Sequence, residues 1–146
     1  MVDLSLFRFS HPIEIRFADL DALGHVNNAK YLTYMEMARL MYFRQVIGWM
    51  GGRDGSGAIL ARVECDFATP LLLGDPIRVY VRASRIGQKS FDFEHLIVRE
   101  TDQSEAARGK GVLVAYDYGK DQSITVPEEW RVKMLGFEPG LQKPGS

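Results

Sequence analysis

The chain has 146 residues, of which 46% are hydrophobic, 25% charged and 11% aromatic, which is enough apolar material for one buried core and too much for a disordered or fibrous polypeptide. Its 18 Lys and Arg residues stand against 19 Asp and Glu, so there is no global positive field of the kind that grips nucleic acid or an anionic membrane. The longest unbroken apolar run, Val112 to Tyr116, falls far short of the ~20 residues of a membrane-spanning helix, and the lone Cys65 excludes an intramolecular disulfide or a cysteine metal cage.

Along the chain, His11 to Ala18 alternates apolar Ile13, Ile15 and Phe17 with charged Glu14 and Arg16, the period of a half-buried strand. From Asp19 to Asn28 the alternation stops and Asp, Gly and Asn crowd together, the signature of a loop that ends by starting a helix. Tyr31, Met35, Ala38, Tyr42, Val46 and Trp49 then recur at steps of three or four, with Leu32, Met37, Leu40 and Met41 widening the apolar face. Such a helix is expected to be embraced by a sheet. Gly48 closes it, and the glycine-rich stretch 51–57 reads as a mobile loop.

Ile59, Ala61, Val63, Cys65 and Phe67 share one parity of a second strand, which Thr69-Pro70 ends. Ile77, Val79, Val81 and Ala83 form one face of a third, and Arg85 to Ser90 turns tightly into a fourth over Phe91 to Glu100. In that fourth strand Phe91 and Phe93 share a parity while Leu96 and Val98 take the other, so a bulge or two-sided burial is expected near His95. Lys110 to Tyr118 is a fifth strand, and Pro127 followed by Glu128 and Glu129 opens a short helix closing near Gly136, with frayed residues after it. The order specifies a single α+β domain over 1–146, with a core of about 11–135, in which a mainly antiparallel five-stranded sheet curls around one long central helix.

The chemistry concentrates in Asp19-Leu-Asp-Ala-Leu-Gly-His-Val-Asn-Asn28. A helix N-terminus presents unpaired N–H groups and a positive dipole end, which suit an oxyanion as well as a cap. A carboxylate a few residues upstream, such as Asp21, is then placed to face a carbonyl carbon whose oxygen is held by the amide of Asn28.

The run Asp-x-Asp-x-x-Gly-His-Val-Asn-Asn-x-x-Tyr-Leu over 19–32, followed by Glu36-Met-Ala-Arg39, resembles the signature of hot-dog-fold acyl-CoA thioesterases of the 4-hydroxybenzoyl-CoA thioesterase type. The resemblance continues through Arg62 to Phe67, Leu73-Gly-Asp75 and the Gly87 to Ser90 turn, and spans about residues 11–135. It implies that Asp21 is the catalytic carboxylate, that Asn28 supplies the oxyanion-binding amide, and that Asp19 is structural. It implies substrate contacts from His25, Asn27 and Tyr31, and coenzyme A phosphates near Gly87, Gln88, Lys89 and Ser90. That turn carries Gly87 and Gln88 where more basic versions carry arginine, leaving Lys89 and Ser90 as the phosphate donors.

The family's assembly implies a homodimer or homotetramer in which Asp21 of one chain works beside the coenzyme-binding turn of another. Coenzyme A enters as part of the substrate, with no separate cofactor and no metal. The N-terminal residues lack a basic segment followed by an apolar stretch, so a cytoplasmic location is expected. A thioesterase acting on acyl carrier protein and a non-catalytic acyl-CoA binding module are the alternatives. Elsewhere His95 and Cys65 read as core residues, Glu36 and Arg39 as an i,i+3 ion pair, and Glu64 as a lesser acid candidate.

Overall fold

The computed structural model describes residues 2–51 and 55–141. Part of the expected 51–57 loop and the last five residues of the chain therefore lie outside the described residues. The strands are β1 (Phe9–Ile13), β2 (Ser56–Phe67), β3 (Ile77–Ile86), β4 (Ser90–Arg99), β5 (Ser104–Asp117) and β6 (Gln122–Ser123). The helices are α1 (Asn28–Tyr42), which runs on into a π-helical turn over Phe43–Ile47, and α2 (Glu128–Phe137). The sheet is antiparallel in the order β1-β3-β4-β5-β2, with β6 pairing β5. β2 pairs only with β5, so its other edge is open among the described residues.

Helix α1 packs on β1, β3 and β4 through the buried stripe Tyr31, Tyr34, Met35, Ala38 and Tyr42. Ala38 brings the helix close to the sheet, and Gly109 of β5 does the same from the other side: a Cβ there would lie 2.7 Å from the Met35 sulfur. At the far end, Tyr42 packs edge-on against Phe93 and Phe9, and Phe43 meets Phe91 and Trp130 of α2. Gly48 ends the π-helical turn at φ +80°, the left-handed conformation that suits glycine.

Two expectations are corrected, and a third, on β4, is met. The first strand is displaced toward the N-terminus, and Phe17 stands in a 3-10 turn over Phe17–Asp19, 79% exposed. Buried Asp19 and its hydrogen bonds end the strand early. Leu32, Met37 and Leu40, expected on the core face of α1, are exposed, as are Ile59, Val63 and Phe67 on β2. A register shift between Leu60 and Arg62 breaks the parity of that strand. On β4 the parity change reflects burial on both faces, with register shifts at Ala83/Arg85 and Ile97/Val98 and regular pairing at His95.

Candidate active site

The loop before α1 is a small closed structure. Leu20 and Val26 form an antiparallel bridge, the Asp21 N–H donates to the His25 carbonyl at 2.8 Å, and the Gly24 N–H returns to the Asp21 carbonyl at 3.1 Å. Gly24 closes the turn at φ +87°, a conformation that a side chain would strain. Asp21 Oδ1 accepts from the Leu23 N–H at 2.9 Å, and among the described residues its Oδ2 has no donor.

Asp19 anchors this loop. Its carboxylate is buried and accepts from Tyr34 Oη at 2.7 Å and from the Arg16 N–H at 3.0 Å, with the Arg16 guanidinium at 3.2 Å. Burial alone would raise the Asp19 carboxyl, but the bonds from Tyr34 and Arg16 outweigh it and hold the group below its ordinary range. The Asp19 carbonyl also accepts from the Asn27 N–H at 2.9 Å, and the Val26 N–H is tied to the Leu71 carbonyl at 2.8 Å. Loop and helix start are thus held from both sides.

Asn27 is the N-cap: its side-chain oxygen takes the Ala29 N–H at 2.9 Å and its carbonyl the Lys30 N–H at 2.8 Å. Asn28, the first helical residue, has no intrahelical acceptor for its N–H, and among the described residues nothing else accepts from it. A cavity of about 300 Å³ brings together Asp21, His25, Asn27, Asn28 and Tyr31. Asp21, with one carboxylate oxygen unengaged, and Asn28, with its helix N-terminal N–H open, thus line one cavity. The Tyr31 hydroxyl is itself occupied, donating to the Thr69 carbonyl at 3.2 Å and accepting from the Leu71 N–H at 3.2 Å. Its part in the cavity is the ring and the loop it fixes.

The Gly87 to Ser90 turn lies elsewhere, at the other end of α1. Phe91 beside it packs on Phe43, and the Arg131 guanidinium of α2 donates to the Gly87 carbonyl at 3.0 Å. Gln88 and Lys89 hold later segments through their carbonyls, which accept from Val126 and Ala115 at 2.9 Å each. Both side chains are exposed. Ser90 Oγ accepts from Arg85 at 2.9 Å, and Arg85 folds so tightly over the turn that a Cβ on Gly87 would lie 2.5 Å from it. Arg85 and Arg131 are cations beside this turn that the sequence reading did not identify. Arg85 lies five residues before Ser90 at the end of β3, whereas Arg131 is 44 residues from Gly87 on α2, and only the three-dimensional fold joins it to the turn.

Glu36 and Arg39 do not form the expected pair. Arg39 turns inward, 7% exposed, with its Nη1 3.4 Å from His95 Nε2. Cys65 is half-buried against the core, and burial pushes its thiol up, away from a reactive thiolate. Glu64 is exposed and pairs with Arg62 at 2.9 Å.

A family model described as the thioesterase-like superfamily matches residues 15–134. Among solved structures, a thioesterase from Thermus thermophilus complexed with coenzyme A and zinc is 39% identical. Its TM-score is 0.80, and the match covers 92% of this chain and 98% of that one. The chloroplastic acyl-acyl carrier protein thioesterase ATL3 of Arabidopsis thaliana is 30% identical over 132 residues, 87% of this chain and 68% of its own. The acyl-CoA thioesterase YbgC of Haemophilus influenzae is 27% identical over 124 residues, 83% of this chain and 90% of its own. Among the described residues no group of three His, Cys, Asp or Glu side chains is placed to hold a metal ion.

Proposed function

The chain belongs to the thioesterase-like superfamily and is a thioester hydrolase; from that premise we propose that its substrate is an acyl-CoA, cleaved to the free acid and coenzyme A at the cavity of Asp21 and Asn28. The observation that carries the reading is the pairing, in one cavity, of the open Asn28 N–H with an Asp21 carboxylate that keeps one oxygen unengaged. The carbonyl oxygen of the thioester takes the Asn28 N–H, where the helix dipole favours the charge that develops on it. Asp21 Oδ2 then either adds to the carbonyl carbon, giving a mixed anhydride that water hydrolyses, or removes a proton from the attacking water. The thiolate leaves without a dedicated acid, because an alkyl thiol is already acidic enough, with a pKa near ~8.5. The resemblance of the run from Asp21 through Asn27 and Asn28 to Tyr31 supports reading this site as one of the 4-hydroxybenzoyl-CoA thioesterase type.

The same reading assigns the coenzyme phosphates to Lys89 and Ser90, with Gly87 leaving room for Arg85. That turn and the Asp21 cavity lie at opposite ends of α1, so we propose a homodimer or homotetramer in which the turn of one copy serves the cavity of another. The open edge of β2 and its exposed Ile59, Val63 and Phe67 support this assembly.

The test is thiol release across an acyl-CoA panel, with light scattering on the same sample. Asp21→Asn is expected to abolish turnover while leaving the fold and assembly intact. Unchanged rates, or a fully active monomer, would overturn the respective assignment. The likeness to the acyl carrier protein thioesterase favours a second reading, in which the acyl group arrives on a carrier protein. Matched acyl-CoA and carrier-linked substrates separate the two.

A further inference from the structure

Two further cavities follow the first along one face of α1. One, of about 120 Å³, is lined by Leu32, Glu36, Arg39, Leu60 and His95. The other, of about 180 Å³, is lined by Glu36, Arg39, Leu60, Phe43, Trp49 and Trp130. They share Glu36, Arg39 and Leu60 and so make one groove. Asn28, Leu32, Glu36, Arg39 and Phe43 recur at three or four residues, which puts them on one helix face. The groove therefore begins one turn beyond the Asn28 N–H. β2 forms its opposite wall through Leu60 and Val63.

Arg39 is the anomaly of this groove. A guanidinium has five N–H donors, and its one side-chain partner among the described residues is His95 Nε2, at 3.4 Å. The other ring nitrogen of His95 bonds to the Gly109 backbone, and burial, reinforced by the Arg39 charge, pushes the imidazole down to about 3. The ring is thus neutral, and Nε2 serves as an acceptor that aims the guanidinium. No carboxylate pairs with Arg39 among the described residues, although a buried charge ordinarily has one. Its remaining nitrogens have no side-chain partner among the described residues, and Arg39 lines both parts of the groove. Glu36, exposed three residues earlier on the same wall, brings a carboxylate that acts on Arg39 through its charge without an ion-pair contact.

We propose that this groove takes the acyl chain and that Arg39 and Glu36 bind a hydroxyl group on it, Arg39 donating to the hydroxyl oxygen and Glu36 accepting its proton in a hydrogen bond. The enzyme is thereby selective for hydroxylated over plain acyl thioesters. An acyl carboxylate is disfavoured, because it sets its charge beside Glu36. The eleven-residue step from Asn28 to Arg39 spans roughly 16 Å along the helix, and the arginine side chain leans back toward the N-terminus. At about 1.2 Å per bond of extended chain, a hydroxyl about nine bonds from the thioester carbon reaches the pair, whereas a single aromatic ring does not.

This inference rests on the thioesterase reading, and its test separates the two. kcat/KM is measured for decanoyl-CoA and 10-hydroxydecanoyl-CoA with the wild type, Arg39→Met and Glu36→Leu. The wild type is expected to prefer the hydroxylated substrate by about tenfold or more, because a site built around a hydroxyl is left with unpaired groups by the analogue that lacks it. Each variant is expected to bring the ratio close to one, and circular dichroism with thermal unfolding reports that the variant is folded. Glu36 is exposed, so its replacement does not depend on a repacked core. A wild-type ratio near one, or a preference that survives both variants, overturns the proposal. So does a pair of variants that alter only the oligomeric state, since a second copy then fills the groove. Should neither thioester be cleaved, the acyl-CoA reading fails by itself, and calorimetry with 10-hydroxydecanoate and decanoate decides the inference: tighter binding of the hydroxy acid, lost in Arg39→Met, supports it, and equal binding overturns it.

Discussion

Replacing Glu138 by alanine tests how α2 is fastened to the sheet. Glu138 is 4% exposed, and its Oε2 accepts from the Tyr42 hydroxyl at 2.7 Å and from the Ala83 N–H at 2.8 Å. Alanine leaves both donors buried without an acceptor, at about 1–3 kcal/mol each, so the expected loss is about 2–6 kcal/mol out of a typical total of 5–15. Glu138→Gln keeps a side-chain oxygen for the same donors and is expected to cost less than about 1 kcal/mol at neutral pH. The pH dependence has a definite sign. Burial raises the Glu138 carboxyl above its ordinary 4.5, so the folded state holds the proton more tightly than the unfolded one. Stability attached to this group is full below 4.5 and declines as pH rises through the elevated value. The glutamine variant therefore gains on the wild type as pH rises, and the two converge in acid. Urea unfolding at pH 4 and pH 7, at one protein concentration because assembly contributes, measures both effects. An alanine variant that loses less than about 1 kcal/mol, or a glutamine variant as damaged as alanine, would refute the reasoning. Because Arg131 of the same helix holds the Gly87 carbonyl, the alanine variant should also raise KM for acyl-CoA more than it lowers kcat.

Asp19→Asn is expected to destabilise the protein by about 2–4 kcal/mol at pH 7, since it removes the charge that Tyr34 and Arg16 surround. The folded carboxyl lies below its ordinary 3.8, so its contribution is present above 3.8 and is lost as pH falls through the lower value; the gap to wild type should close in acid unfolding and should stay constant if the carboxylate is unimportant. Gly109→Ala is expected to cost about 1–3 kcal/mol, because the new Cβ meets the Met35 sulfur at 2.7 Å and the Glu64 carbonyl at 3.1 Å. Thermal unfolding of Gly109→Ala alone and combined with Met35→Ala checks this, since a true clash makes the two changes non-additive.

Where a pattern is local, the sequence carries it to the right residues. The end of the long helix at Gly48 and the start of α2 after Pro127 each depend on neighbours within one turn of chain. The strand faces Ile77, Val79, Val81 and Ala83 are likewise legible, because a central strand meets the same core along its whole length. The first strand is misplaced because alternation continues in sequence past the point where Arg16 and Asp19 fold the chain into a 3-10 turn. The Asp21 to Asn28 loop, the candidate site, is legible as one closed unit because its residues are contiguous. Arg131 and the Arg39–His95 contact are not, since each joins residues whose proximity exists only after the sheet has formed.

Apolar periodicity has a second ambiguity, and it bears on how the site is completed. Leu32, Met37 and Leu40 on α1 and Ile59, Val63 and Phe67 on β2 read in sequence as core, yet within one chain all are exposed. The periodicity records that a side chain is removed from water, and it is silent about which chain removes it. In the proposed assembly the two surfaces flank the groove that starts at Asn28, with the unpaired edge of β2 beside them. An exposed strand edge of twelve residues with apolar side chains is a liability for a monomer. The same surface, covered by a second copy, excludes water from Asp21 and Arg39, where low dielectric strengthens both the oxyanion contact and the proposed hydroxyl contact. Folding and catalysis thus place opposite demands on these residues in an isolated chain and the same demand in the oligomer.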